Sequence, residues 1–256
     1  MRFINLVLFS DSIGDDCYEE MKILTSQYYR KFADNVKTYY VKYDSNVENV
    51  KIEDDFLIFK GNETLIPGLT TKTLESFEYI IKNNILEGYD YVIRTNISTI
   101  INFDNLKKEL EATPVEYYGG GNIMELNWLG GGVNDPSYFG TKFVQGTSII
   151  LSKKAVEFMY EHKDKFQTNI IDDVSMAIFV KDHMPFSYPP ISIDKNSFIH
   201  VPRFIVNGKI EIQKVRDMVR EKPYVFYRNN CIFQNPNRKI DLIHMRIIID
   251  ELLKQD

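Results

Sequence analysis

Three short stretches carry the residue types that move groups between oxygens. Asp172-Asp173-Val174 sets two carboxylates side by side where a helical stretch begins. Adjacent acids at a helix start serve as caps. Facing a cleft, either one could take the proton from an attacking hydroxyl while the other orients it or touches a sugar. Arg94-Thr95-Asn96-Ile97-Ser98 ends an apolar run with a guanidinium and two neutral oxygen side chains one residue apart. The guanidinium suits bidentate contact with phosphate. Hard cations such as Mn²⁺ or Mg²⁺ want oxygen ligands, so Asn96 and Ser98 form a candidate metal pair, weakened because neither brings charge. Gln145-Gly146-Thr147-Ser148 puts a glycine inside an apolar stretch, the mark of a bulge or of a closely approaching ligand.

Other candidates are thinner. No two of His162, His183, His200 and His244 have metal-ligand spacing, and His200, after a strand-like stretch, is the one suited to be a lone metal or phosphate ligand. Arg228 and Arg238, near Tyr227 and Asn229, could form an anion site or be salt-bridged. Gly119–Gly121 and Gly130–Gly132 flank the single tryptophan, Trp128, and read as a long loop or hairpin. No P-loop, dinucleotide fingerprint, HExxH pair or nucleophile elbow is present.

The elements that must hold these residues alternate. Phe3–Phe9 is a short apolar run ending in Ser10-Asp11-Ser12, a buried strand by its length and its turn residues. A helix starting at Asp15-Asp16 follows, with Tyr18, Met21, Leu24 and Tyr28 on one side. Strands are expected at Thr38–Tyr43, Asp55–Lys60 and Tyr89–Thr95, with a helix between the last two, capped by Thr71 or Thr73 and stopped by Gly88. That alternation predicts an α/β fold with a mostly parallel sheet. Ligands of such sheets bind beyond the carboxyl ends of the strands, which places Ser10, Asp11, Asp44 and Arg94–Ser98 at the candidate site. In the less regular second half, Phe143–Leu151 reads as one strand, Ser152 as the cap of a helix burying Ala155, Val156 and Met159, and Asp172-Asp173 as another helix start. Lys239–Lys254 is helical and apolar almost all round, which predicts burial or a partner surface.

The order of these motifs resembles glycosyltransferases of the GT-A fold, above all the Fringe and beta-1,3-galactosyltransferase group with its shorter viral and bacterial relatives. The series is Asp55, Glu63 and Lys72-Thr73, then Asn96-Ile97-Ser98, then Gly146 with Ser152, then Asp172-Asp173-Val174, covering roughly residues 1 to 200. The resemblance implies a single GT-A domain over 1–256, Rossmann-like with helices on both sheet faces, its residues 1–100 binding the nucleotide and its irregular residues 101–256 the acceptor. It implies transfer of a sugar from a nucleoside diphosphate donor, UDP favoured, to a hydroxyl of a glycan or glycoprotein, with inversion. Ser10, Asp11, Asp44, Lys72, Arg94, Asn96 and Ser98 would bind the nucleotide sugar; Trp128 and Gly146 the acceptor; Asp172 or Asp173 would be the base. The group's metal-binding acids are replaced here by Asn96 and Ser98, which puts Mn²⁺ dependence in doubt and leaves a non-catalytic nucleotide-sugar or glycan binder as the alternative. A scaffold that associates through its apolar last helix is a third reading.

Composition narrows the rest. The 256 residues hold 31 basic and 36 acidic side chains, a net charge of −5, with no basic stripe for nucleic acid. Two cysteines far apart, Cys17 and Cys231, argue for reduced thiols in a cytoplasm-like compartment. No apolar run approaches the roughly 18 residues of a membrane span, and Met1–Ser10 lacks a cleavage site. The lumenal disulfides and anchoring stem of Golgi relatives are not seen, which points to a cytoplasmic enzyme, host cytoplasm if viral. The 16 Tyr and 17 Phe look like compositional bias.

Overall fold

The computed structural model describes residues 1–11, 17–194, 196–206, 209–222, 224–229 and 238–255. The expected helix start at Asp15-Asp16 and the second cysteine, Cys231, lie outside the described residues. Along the chain the first elements are β1 (Phe3–Leu8), α1 (Cys17–Tyr29), β2 (Val36–Asp44), β3 (Val50–Glu53), β4 (Phe56–Lys60), α2 (Gly68–Lys82), β5 (Tyr91–Asn96), β6 (Thr99–Ile101) and α3 (Phe103–Ala112). Next come β7 (Tyr118–Gly120), β8 (Ile123–Glu125), β9 (Lys142–Val144), β10 (Ile149–Ser152), α4 (Lys153–Glu161) and α5 (Asp172–His183). Last are β11 (Ile191–Ser192), β12 (Phe198–His200), β13 (Ile205–Val206), β14 (Lys209–Ile210), α6 (Ile212–Glu221), β15 (Phe226–Arg228) and α7 (Lys239–Leu252).

Eight strands make the central sheet, in the order β11-β7-β10-β5-β1-β2-β4-β3. From the pairings, β1, β2, β4, β5, β7 and β11 point one way, and β10 and β3 the other. β1 is apolar at nearly every position because both of its faces are covered. Phe3 and Val7 join Met21, Phe103, Val215 and Met245 in one core, against α1, α3, α6 and α7. Ile4, Leu6 and Leu8 join Phe77, Val156 and Val174 in the other, against α2, α4 and α5. The expected mostly parallel sheet with helices on both faces is what the chain forms. From β1 the chain moves outward to β2 and β4, then returns through α2 to β5 on β1's other side, so the carboxyl ends of β1 and β5 flank a topological switch point.

Several local expectations change. The helix expected to begin at Thr71 or Thr73 begins at Gly68, where the Thr64 hydroxyl accepts a hydrogen bond from the Gly68 amide at 3.0 Å. It ends at Lys82, before Gly88, with Asn84 close behind in left-handed backbone (φ 55°). Phe143–Leu151 is two strands: β9 pairs with β8, while β10 sits in the central sheet beside β5. The first glycine triplet is not a loop. Gly119 and Gly120 belong to β7, where a Cβ would run into the carbonyl oxygens of Ile191 and Ser148. The second triplet is a tight turn with positive φ throughout, and the Gly131 carbonyl accepts from the Ile171 amide at 2.7 Å, bracing the entry to α5. α7 is buried within its own chain, where Met245 and Ile248 join the α1 and α6 side chains, which removes the motive for a scaffold associating through it. No described helix is long and apolar enough to cross a membrane.

Ser152 caps α4 as expected. Its hydroxyl accepts from the Ala155 amide at 3.3 Å, and Ala155, Val156 and Met159 are buried. Ser152→Ala should lower the unfolding free energy by about 1 kcal/mol, read as a shifted urea midpoint at constant slope; an unchanged midpoint would show the cap contributes nothing.

Candidate active site at the strand ends

A cavity of ≈ 570 Å³ opens beyond β1 and β5. Its floor is set by Arg94, which the alternation of β5 turns toward the second core side. Arg94 is buried, and its guanidinium donates to the Gly146 carbonyl and to Asp172 Oδ2. Because β10 runs antiparallel to β5, the 145–148 turn that precedes it is delivered to the end where β5 finishes, with Ile149 opposite Arg94. Gly146 is required by this contact: a Cβ there would collide with Arg94 Nη1.

Lys72, on α2, is also fully buried. Its ammonium donates to Glu63 Oε2 at 2.7 Å and to the Phe9 carbonyl at 2.8 Å. Burial lowers its pKa, an effect Glu63 opposes. Glu63 also accepts from the Tyr43 amide at 2.8 Å, tying the loop after β4 to the end of β2.

The two carboxylates that open α5 differ. The helix's N-cap is Ile171, so neither acid caps it. Asp172 is committed to Arg94. Asp173 accepts backbone hydrogen bonds from Gly146 at 3.0 Å and Val174 at 2.9 Å, and has no cationic partner of its own among the described residues. Burial, and next the Asp172 charge beside it, raise its pKa from 3.8 to about 6.

At the far wall, Arg228 ends β15, which pairs with β6 so that Arg228 lies opposite Thr99. Its Nη1 donates to Asn96 Oδ1 at 2.6 Å and to Ser98 Oγ. Burial, and then the neighbouring Arg238 charge, lower its pKa to about 10, so it remains cationic at neutral pH. Arg238 itself is paired with Asp241 at 2.5 Å.

The charged lining residues are Glu63, Lys72, Arg94, Asp172, Asp173 and Arg228. Lys72 cancels Glu63 and Arg94 cancels Asp172. What remains is a guanidinium on one wall and a carboxylate on another.

Of the residues expected at a site, Ser10, Lys72, Arg94, Asn96, Ser98, Gly146, Asp172 and Asp173 line this cavity. Four do not. Asp11 pairs with Lys42 at 2.6 Å. Asp44 accepts from the amide and side chain of Asn46 in the turn after β2. Trp128 packs edge-on against Phe143, ring centroids 5.6 Å apart. His200 packs edge-on against Phe198, and its pKa is lowered by desolvation and by Arg228. Asp55, from the same motif series, is bonded to Lys22 and Ser26 on another face. The lining also includes Gln145 and Thr147 from the glycine-containing stretch, and Tyr18 and Leu65, which nothing in the sequence marks for a site.

A divalent cation does not fit Asn96 and Ser98 as they stand. Both oxygens already accept from a cationic side chain, both are neutral, and no group of three His, Cys, Asp or Glu able to hold a metal occurs among the described residues.

No protein-family model and no curated protein matches the chain. Among solved structures, a glycosyltransferase involved in the glycosylation of the major capsid of PBCV-1 aligns over 96% of this chain and 100% of its own, at 11% identity and a TM-score of 0.47. Mouse xyloside xylosyltransferase 1 in its apo form aligns over 92% and 100%, at 10% identity and 0.45. A 4-diphosphocytidyl-2C-methyl-D-erythritol synthase aligns over 80% and 96%, at 11% and 0.42. Likenesses this loose leave the chemistry to be argued from the cavity.

Gly146→Ala tests the floor. The added methyl meets a guanidinium held on both sides, so the variant should lose about 1–3 kcal/mol, measured by urea unfolding. Wild-type stability would mean that Arg94 can leave Asp172 and Gly146 freely.

Proposed function

We propose that the protein is a glycosyltransferase that moves a sugar from a nucleoside diphosphate donor to an acceptor hydroxyl in this cavity. The observation that carries the reading is the division of charge at the switch point: the Arg228 guanidinium on one wall, and on another the Asp173 carboxylate, which has no cationic partner of its own among the described residues. The order of sequence motifs adds to it, and it alone favours UDP as carrier and a glycan or glycoprotein as acceptor.

On this reading the diphosphate lies at the ends of β1 and β5, reached by Arg94 and Arg228, with Lys72 bracing the Phe9 carbonyl beneath it. Leu65, Leu69 and Tyr18 give the nucleoside an apolar wall. The acceptor oxygen attacks the anomeric carbon, the bond from that carbon to the diphosphate oxygen breaks, and the hydroxyl proton passes to Asp173. The leaving diphosphate keeps the electron pair and is stabilised by the guanidinium side. One displacement by an activated hydroxyl inverts the anomeric centre. Asp173 suits the base role better than Asp172. Burial and the neighbouring Asp172 charge raise its pKa to about 6, whereas protonating Asp172 would strand the buried Arg94 charge.

Asp173→Asn should cut transfer by at least about 10²-fold and leave binding of the nucleoside diphosphate within a few-fold of wild type. Wild-type kcat/KM should fall as pH drops through about 6, where Asp173 takes up a proton, and stay flat above it. The same raised pKa means that ionised Asp173 destabilises the fold. That cost is full above about 6 and gone below the ordinary value of 3.8. The Asn variant should therefore melt above wild type at neutral pH, the gap closing toward acid. Unimpaired transfer by Asp173→Asn would remove the assignment, and donor binding without any transfer or hydrolysis by wild type would favour the non-catalytic binder.

A further inference from the structure

Taking the proposed donor site as given, we infer that Arg228 stands in for the divalent cation, so that this protein binds and neutralises the donor diphosphate without a metal. The inference deepens the reading above and depends on it. Asn96 and Ser98 sit where ligand oxygens for a cation were expected. Instead of waiting for an ion, they hold a permanent one: a single Arg228 nitrogen donates to both. Neutral oxygens suit that task. Paired carboxylates would bind the guanidinium as a closed salt bridge and consume its charge, whereas an amide and a hydroxyl orient it and leave the charge available.

The remainder of the guanidinium points the same way. No carboxylate lies within ion-pair distance of Arg228 among the described residues, and its Nε is buried without a hydrogen-bond partner. Burial, and then the Arg238 and Arg94 charges, disfavour its own, and Tyr18 and Asp241 offset only part of that. Like charges gathered around a cavity that contains no opposing anion of its own at that wall are relieved by a bound one. A guanidinium fork matches two phosphate oxygens with fixed geometry, and it needs no coordination shell.

The test is calorimetric binding of UDP, GDP, CDP and ADP, each in EDTA and in Mn²⁺, with the best binder carried forward beside its free nucleoside. Wild type should bind the diphosphate in EDTA within about threefold of its affinity in Mn²⁺. Arg228→Gln should weaken the diphosphate at least about tenfold in both buffers and leave the nucleoside unchanged, which a merely structural loss would not do. Arg228→Lys, which keeps the charge but not the fork, should fall between. Binding that appears only with Mn²⁺ overturns the inference and leaves the donor site standing. So does undiminished diphosphate binding by Arg228→Gln. If none of the four diphosphates binds in either buffer, the donor site and the inference fall together. Should Arg228→Gln not fold, the wild-type comparison of EDTA with Mn²⁺ decides alone.

Discussion

The buried pairing of Arg94 with Asp172 is the constraint on which the site depends. A guanidinium in the interior must find anionic or carbonyl oxygens, because its desolvation is not otherwise offset. Arg94 finds one on the first turn of α5 and another on the turn before β10. These belong to segments far apart in sequence, and the ion pair joins them to the central sheet. α5 could not slide along its axis, nor the 145–148 turn lift away, without exposing an unpaired buried charge. The interaction is structural in energy and functional in geometry, since the segment it anchors carries the carboxylate left free beside it.

That arrangement divides the labour between neighbouring acids. Asp172 is held by its pairing with Arg94. Asp173 is buried without a cation of its own and pressed by Asp172, and its pKa rises to about 6. Two identical side chains at consecutive positions thus end in different settings, one paired with a guanidinium and one buried without a cation. The second glycine turn supports this from behind, since its backbone bond to Ile171 fixes where α5 begins.

Much of this was legible in the chain. Strands β1, β2, β4 and β5 show as apolar runs bounded by turn residues, and Ser152 announces α4 because capping is a local matter. Lys72, Arg94 and the acidic pair were visible as candidates. Which acid is free was not, because that depends on Arg94 choosing between them across 78 residues. The break between β9 and β10 was hidden because both are apolar and the turn separating them exists to meet Arg94, not to satisfy a turn-forming sequence. Gly119 and Gly120 read as loop residues, yet they are glycines because neighbouring strand carbonyls occupy the space of their Cβ atoms. Asp11, Asp44, His200 and Trp128 stand out in the sequence by position at strand ends or by residue type. Each instead satisfies a neighbour outside the cavity. Arg228 was visible as one of two arginines that could form an anion site, but its seat on Asn96 and Ser98 was not, since Ser98 is 130 residues earlier.

The three-stranded sheet that seats Arg228 has an effect on the order of assembly. β15 is the middle strand, between β12 and β6, so the earlier two cannot form that sheet until the later one arrives. During synthesis the central strands, α2 and α5 emerge first, and the Asn96 and Ser98 oxygens wait 132 and 130 residues for the guanidinium they hold. The wall that carries Arg228 is therefore among the last parts of the cavity to be built, in step with α6 and α7, which close the core on that face of β1.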